Sequence, residues 1–123
     1  RVLSGGLAPA VRHVAAHLGI AAAEVAAVEV YFSAAGLYAG FDNTSPLARS
    51  GGKRDWIVAN AAELPRPVML VGDGITALEA RPVIDRFIAF AGIVSRPEVI
   101  GQADAVVTER SLLPVLELVL GHR

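Results

Sequence analysis

Residues 68–71, Val-Met-Leu-Val, form an uninterrupted apolar run that follows two prolines and ends in Gly-Asp-Gly at 72–74. A continuous apolar run of this length is typical of a parallel strand that is buried on both faces. Two further short apolar runs follow at 87–90 and 105–107, and Ser111 is placed to cap a last helix through residue 120. Strands that alternate with helices predict an open, mostly parallel α/β sheet.

The beginning of the chain predicts a helix over residues 7–18, because its apolar side chains recur at helical spacing and Gly19 is placed as a stop. The segment Ser4-Gly5-Gly6 comes directly before this helix. We therefore expect a glycine turn at a helix N-terminus, where free backbone N–H groups can receive an anion.

The middle of the chain predicts a β-hairpin, because residues 28–32 and 37–41 are β-branched and aromatic runs separated by small residues. A loop rich in turn formers follows over 42–52, and the next helix is expected over 54–64. Lys53 then stands at a helix start.

The amino-acid composition excludes several kinds of binding partner and of structural site. The 123 residues carry 11 basic and 12 acidic side chains, for a net charge of -1, which gives no electrostatic footprint for nucleic acid or an acidic membrane. No cysteine is present, so disulfides and thiolate metal sites are excluded. No apolar run approaches the ~20 residues of a membrane span. We expect one soluble domain over residues 1–123, and the start at Arg1 suggests that a segment lies upstream.

Three features fall at strand ends or helix starts, where open α/β sheets bind ligands: Ser4-Gly5-Gly6, Lys53 and Asp73. Backbone N–H groups and an ammonium can hold phosphate oxygens, and a carboxylate can bind a hard cation. Each feature alone is also compatible with an ordinary turn or a solvated side chain. Their order along the chain favours a combined anion and metal site.

That order resembles the haloacid dehalogenase phosphatases. Residues 4–6, 50–53 and 71–76 are similar to their motifs two, three and four, and segments 38–42 and 78–80 and the Phe-Ala-Gly run before Arg96 resemble phosphoserine phosphatases of the eukaryotic type. The resemblance covers nearly the whole chain. It implies an α/β fold of the haloacid dehalogenase type, a three-layer sandwich with a mostly parallel, Rossmann-like sheet and a small hairpin. Residues 1–123 would be the C-terminal portion of one core domain.

The resemblance also assigns roles. It implies phosphate or substrate binding by Ser4, Gly5, Gly6, Lys53, Thr76 and Arg96, Mg²⁺ binding by Asp73, and catalytic roles for Lys53 and Asp73. The implied reaction converts O-phosphoserine to serine and phosphate through an aspartyl-phosphate, in cytoplasmic serine biosynthesis. A homodimer is compatible with it, and nucleic acid and membranes are not expected partners.

Two departures from the family pattern affect activity. The nucleophile motif Asp-x-Asp-x-Thr/Val occurs nowhere in the sequence, and the cap that follows it is also missing. Ala77 stands at the second acidic position of motif four. We expect this chain alone to be an inactive fragment with exposed strand edges at Ser4 and Asp73. The alternatives are an inactive binding or regulatory domain, a phosphatase for another small metabolite, or a split enzyme.

Overall fold

The computed structural model describes residues 1–121 as two compact units, Arg1–Trp56 and Ile57–Arg123, the second described as far as residue 121. Each unit has its own strands and helices. Across the described residues, no helix is long and apolar enough to cross a membrane.

The first unit begins with β1 (Val2–Leu7), continues through α1 (Ala8–His17) and returns as β2 (Val25–Val28), which pairs in parallel with β1. Helix α1 confirms the prediction over 7–18. It stops at Gly19, which has a positive φ of 74° and donates its N–H to the carbonyl of Ala16.

A hairpin of β3 (Val30–Phe32) and β4 (Tyr38–Phe41) follows β2, and its antiparallel pairing confirms the predicted hairpin. The expected strand over 28–32 is instead divided between β2 and β3. Glu29 lies at the break, where its carboxylate accepts two hydrogen bonds from the guanidinium of Arg12, at 2.7 and 2.9 Å.

Helix α2 (Gly52–Ala59) begins in the first unit and runs into the second. It confirms a helix start beside Lys53, but it ends earlier than the expected residue 64. A 3₁₀ turn at Ala61–Glu63 takes the place of the last helical turn. The chain approaches Pro65 here, and a proline disfavours helical geometry in the residue before it.

The second unit is a three-stranded parallel sheet in the order β5 (Met69–Gly72), β6 (Arg86–Phe90) and β7 (Ala105–Val107). Short helices α3 (Ile75–Leu78) and α4 (Pro97–Ile100) connect the strands, and α5 (Leu113–Leu120) follows β7. The Ser111 hydroxyl accepts the Leu113 N–H at 3.1 Å, but the N-cap residue of α5 is Leu112, which makes no side-chain cap hydrogen bond, so Ser111 precedes the cap that was expected of it.

Burial in this sheet differs from the sequence prediction in one respect. The run at 68–71 was expected to be buried on both faces, yet every residue of β5 keeps some solvent exposure. The strand with a buried centre is β6, where Phe87 and Ile88 are both 0% exposed and only the two end residues are partly exposed. The reason is position, because among the described residues β5 pairs only with β6, whereas β6 has a partner on each side.

The end of β5 is held against α3 by a close approach between two small residues. A Cβ built on Gly72 would lie 2.5 Å from the Cβ of Ala77, so only glycine fits there. Ala77 is itself 1% exposed. The first turn of α3 therefore packs directly on the strand that carries Asp73 at its end.

The amino ends of the three strands are joined by two aspartates in the same arrangement. Asp85 donates its N–H to the carbonyl of Val68 and accepts that residue's N–H on its carboxylate, at 2.9 and 2.6 Å. Asp104 does the same with Phe87, at 2.9 and 2.7 Å. Each aspartate thus extends the hydrogen bonding between neighbouring strands to the residue before its own strand begins.

Each of these carboxylates also pairs with an arginine, Asp85 with Arg66 and Asp104 with Arg81, both at 2.8 Å. The pKa of Asp85 is lowered, first by the hydrogen bond from the Val68 N–H and then by Arg66. The pKa of Asp104 is lowered chiefly by the Phe87 N–H, with Arg81 adding to it. Both aspartates therefore form these hydrogen bonds and ion pairs more strongly in the ionised form than in the protonated form.

The α/β class with parallel strands and helices is confirmed, and so is the small hairpin. The parallel strands are shared between a two-stranded and a three-stranded sheet. That residues 1–123 form the C-terminal portion of one core domain stays a prediction.

Replacing Gly72 by Ala should lower the free energy of unfolding by about 1–3 kcal/mol, because the new methyl group overlaps Ala77. Gly74→Ala is the matched control. Its added Cβ would meet nothing closer than 4.0 Å, so we expect a change within about 0.5 kcal/mol. Urea unfolding measures the change in the free energy of unfolding for both variants. Adding Ala77→Gly to the first variant should recover part of the loss, and strictly additive effects would contradict the packing described.

Stability should fall as the pH decreases from 5 towards 3. The pKa values of Asp85 and Asp104 are lower in the folded state than in the unfolded state, where an aspartate has a pKa of about 3.9. The two side chains therefore stabilise the fold above that pH, and this stabilisation is lost as the pH falls through their folded-state pKa values. Asp104→Asn should make stability less dependent on pH. The measurement is the urea concentration at the midpoint of unfolding, determined at several pH values between 5 and 3. Glu109→Gln, at an exposed residue without an ion pair among the described residues, should leave the slope unchanged.

Candidate functional site

In the first unit, Ser4, Gly5 and Gly6 are the middle residues of β1, whereas they were expected to form a turn. They are strand residues with irregular register, because the Ser4 hydroxyl accepts the Gly6 N–H at 2.9 Å. Both glycines are exposed, and α1 begins directly after Leu7, which provides no side-chain cap. The first N–H groups of α1 are therefore not capped by a side chain.

Lys53 is the second residue of α2 and is partly buried. The start of the helix is fixed by Gly52, because a Cβ there would lie 1.7 Å from the carbonyl oxygen of Pro46. Nearby, Arg49 pairs with Asp55 at 3.1 Å. Lys53 itself makes no ion pair within the described part of the chain.

One short element contacts both of these segments. The 3₁₀ turn Pro46–Ala48 places the carbonyl oxygen of Leu47 3.2 Å from the Cβ position of Gly5, and its first carbonyl meets Gly52. Leu47 is 6% exposed and anchors the turn, and its N–H donates to the hydroxyl of Ser45. The Ser-Gly-Gly segment and the helix start at Lys53 are thus packed on the same turn.

Sequence analysis missed this turn, which lies in the loop that it predicted over 42–52. A signal was present in Ser45 followed by Pro46, since Ser is a preferred helix cap and Pro is favoured in the first turn. The packing of the turn on two glycines is a tertiary contact without a local pattern.

In the second unit, Asp73 follows β5 and its side chain is exposed at the carboxyl end of the parallel sheet. Arg96 is the residue directly before α4, and its guanidinium donates a hydrogen bond to the main-chain carbonyl of Asp73, at 3.3 Å. Thr76 lies exposed on α3, with its hydroxyl 4.0 Å from the Cβ position of Gly74. Asp73 and Arg96 are thus in contact, and Thr76 lies one helical turn away.

The candidate metal ligands are few. Among residues 1–121, no group of three or more His, Asp or Glu side chains is placed to hold a metal ion. Asp73 supplies one exposed carboxylate, and Ala77, at the second acidic position of the motif, is packed against Gly72. Mg²⁺ is commonly held by one or two carboxylates together with phosphate oxygens and water. These residues therefore fit a Mg²⁺ that is bound jointly with a phosphate.

His13 and His17 lie four residues apart on α1, a spacing that can bind a transition metal. Their rings meet edge to face at a centroid distance of 4.9 Å, and both side chains are exposed. Within the described range, no third ligand joins them.

The chain was compared with known proteins. No family model matches it. The phosphoserine phosphatases of Bos taurus and Homo sapiens are each 40% identical to it over 109 residues, which cover 88% of this chain and 48% of theirs. The chain therefore spans about half the length of the relatives that it matches.

Solved structures extend the similarity to the fold. The crystal structure of a phosphoserine phosphohydrolase-like protein from Francisella tularensis subsp. tularensis SCHU S4 matches with a TM-score of 0.76 and 25% identity. The match covers 98% of this chain and 53% of that one. The resemblance inferred from the motifs is confirmed as a similarity: over most of its length the chain is similar to phosphoserine phosphatases, and its α/β fold matches that of the phosphoserine phosphohydrolase-like protein.

Proposed function

We propose that this chain is the C-terminal portion, in one core domain, of a Mg²⁺-dependent phosphomonoesterase that hydrolyses O-phosphoserine in cytoplasmic serine biosynthesis. Sequence similarity to phosphoserine phosphatases over most of the chain supports the reaction class and the substrate. The observation that carries the proposal is a local one. The Ser-Gly-Gly segment and Gly52, which directly precedes Lys53 at the start of α2, pack on the same turn at Pro46–Ala48.

In the first unit, we propose that Ser4, Gly5, Gly6 and Lys53 bind the phosphoryl group. The ammonium of Lys53 has no carboxylate partner among residues 1–121, so its charge is available to an anion. The exposed glycines allow a phosphate oxygen to approach the backbone closely. Charge-assisted hydrogen bonds of this kind are about twice as strong as neutral ones.

In the second unit, we propose that Asp73 binds the metal and that Thr76 and Arg96 bind the substrate. A guanidinium has five N–H donors. The bond to the Asp73 carbonyl uses one of them and leaves the others for a carboxylate or phosphate. Arg96 can therefore hold the loop after β5 in place while it contacts the substrate.

These groups would act on the charge of the transferring phosphoryl group. Phosphoryl transfer spreads negative charge over three oxygens, and fixed cations and N–H groups stabilise it without reorganising. Lys53 and the glycine N–H groups would supply that stabilisation. When bound, Mg²⁺ adds charge neutralisation and orients the phosphate. No Asp-x-Asp nucleophile motif occurs in this sequence, so we propose that these residues bind and orient the substrate without attacking it.

A second candidate is a binding or regulatory domain that has lost catalysis. The observation that favours it is the position of Ala77, which is 1% exposed and in contact with the end of β5. A methyl group here replaces the second carboxylate of the motif. Loss of one supporting group at a metal site typically costs about 10- to 100-fold in affinity or activity.

The phosphate-binding role predicts that Lys53→Ala weakens the binding of inorganic phosphate and of O-phosphoserine to this chain about 10- to 100-fold, because one charge-assisted hydrogen bond is lost. Isothermal titration or NMR titration measures the dissociation constants. Arg54→Ala is the matched control, since Arg54 is the next, more exposed cation on the same helix. Equal weakening by both variants would indicate unspecific charge attraction and would reject the site.

The catalytic proposal predicts Mg²⁺-dependent release of phosphate from O-phosphoserine by the natural protein that contains this chain, and none by residues 1–123 alone. Asp73→Asn should lower kcat/KM at least about 100-fold, because the metal loses its carboxylate. Glu63→Gln, which removes an equal charge from an exposed site in the same unit, should retain full activity. A folded natural protein that binds phosphate but releases none, with or without Mg²⁺, would favour the second candidate.

A further inference from the structure

The two histidines of α1, which we call the histidine pair (His13 and His17), take no part in the proposed phosphate and Mg²⁺ sites. Both side chains are exposed, and they lie four residues apart on the helix. Residues at that spacing are neighbours on one helical face. Among the described residues, neither ring makes a hydrogen bond or an ion pair, so the ring nitrogens are available to a ligand.

The separation of the two rings suits a shared metal ion. Their centroids are 4.9 Å apart. A metal bound by imidazole lies ~2.0–2.1 Å from the ring nitrogen, and therefore roughly 3.2 Å from the ring centroid. Two rings that bind one ion at an angle between a right angle and a tetrahedral angle then have centroids roughly 4.5–5.2 Å apart. The helix thus already sets the separation that shared binding requires.

The orientation of the rings is what must change on binding. Their planes are 85° apart, in an edge-to-face contact. The χ2 torsion of histidine is broad, and rotation about it turns the ring about an axis that passes close to its centroid. Each ring can therefore turn a nitrogen toward a shared ion while the centroid distance is kept. Because both side chains are exposed, there is room for this rotation.

We propose that the histidine pair binds one ion of a late transition metal, with water in the remaining coordination positions. Imidazole suits Cu²⁺, Ni²⁺ and Zn²⁺, whereas Mg²⁺ prefers oxygen ligands. The site therefore differs in chemistry from the one proposed at Asp73. Arg12 also lies on α1, but its guanidinium is paired with the Glu29 carboxylate through two hydrogen bonds, at 2.7 and 2.9 Å. That pairing reduces the repulsion between Arg12 and a bound cation.

The number and type of ligands set the strength of binding. Structural zinc sites have four protein ligands and the histidine pair provides two, so we expect dissociation constants in the micromolar range. The affinity should increase from Co²⁺ through Ni²⁺ to Cu²⁺, which is the general order for nitrogen ligands. The two nitrogens are held at this spacing only while α1 is folded, so bound metal should also stabilise the fold.

The test is a titration of the natural protein that contains this chain with Ni²⁺, followed by NMR, with excess Mg²⁺ present to occupy oxygen sites such as Asp73. Ni²⁺ is expected to broaden the signals of the histidine pair and of its neighbours on α1. His17→Ala should raise the dissociation constant at this site at least about tenfold, because one of two ligands is lost. Alanine has the highest helix propensity, so α1 should stay folded in this variant.

The double variant Val14→His/His17→Ala is the matched control. Val14 is 60% exposed, so this variant keeps two accessible imidazoles on α1 but places them on adjacent residues, which do not face each other. It should bind Ni²⁺ as weakly as His17→Ala does. Full affinity in the double variant would show that the count of imidazoles matters and not their spacing, and would overturn the proposal.

Three further outcomes would also overturn it. These are unbroadened α1 signals in the unchanged protein, unchanged affinity in His17→Ala, and displacement of the α1-bound Ni²⁺ by Mg²⁺, which would indicate oxygen ligands. Each readout is metal binding at α1. The result is therefore independent of phosphate binding and of phosphate release, on which the proposed function is tested.

Discussion

Close approach of the main chain at two glycines is the constraint on which both units depend. Gly52 lies so near the Pro46 carbonyl that any side chain would collide with it, and Gly72 stands in the same relation to the methyl group of Ala77. In each case the next residue, Lys53 or Asp73, is a candidate functional side chain. The approach adds close packing to the hydrogen bonds that hold the start of α2 and the end of β5, and cores of this density resist small shifts.

Charge is distributed unequally between the two ends of the three-stranded sheet. At the amino ends, Asp85 and Asp104 are bound by main-chain N–H groups and by arginines, and their lowered pKa values follow from those bonds. At the carboxyl end, Asp73 is exposed, and its contact with Arg96 runs through its main-chain carbonyl. The first pair has a structural role, whereas the Asp73 carboxylate remains accessible to a ligand.

Much of the fold was readable from local patterns. The α1 helix, the hairpin, the strands β6 and β7 and the helix start beside Lys53 all follow from apolar periodicity and from turn residues. The errors lie at one strand and at one helix end, the latter close to Pro65. The strand expected over 28–32 is interrupted at Glu29, whose carboxylate binds Arg12, 17 residues earlier in the chain. The helix expected as far as residue 64 ends at Ala59.

The sequence by itself determined the α/β class, the order of the candidate site residues and the family resemblance, because each of these depends on residues close together in the chain. Only the tertiary structure decided that β5 is less buried than β6, that one turn at Pro46–Ala48 supports both Gly5 and Gly52, and that Arg96 reaches the main chain of Asp73. These contacts join residues that are distant in sequence. Their geometry depends on packing and on strand position, which no local spacing encodes.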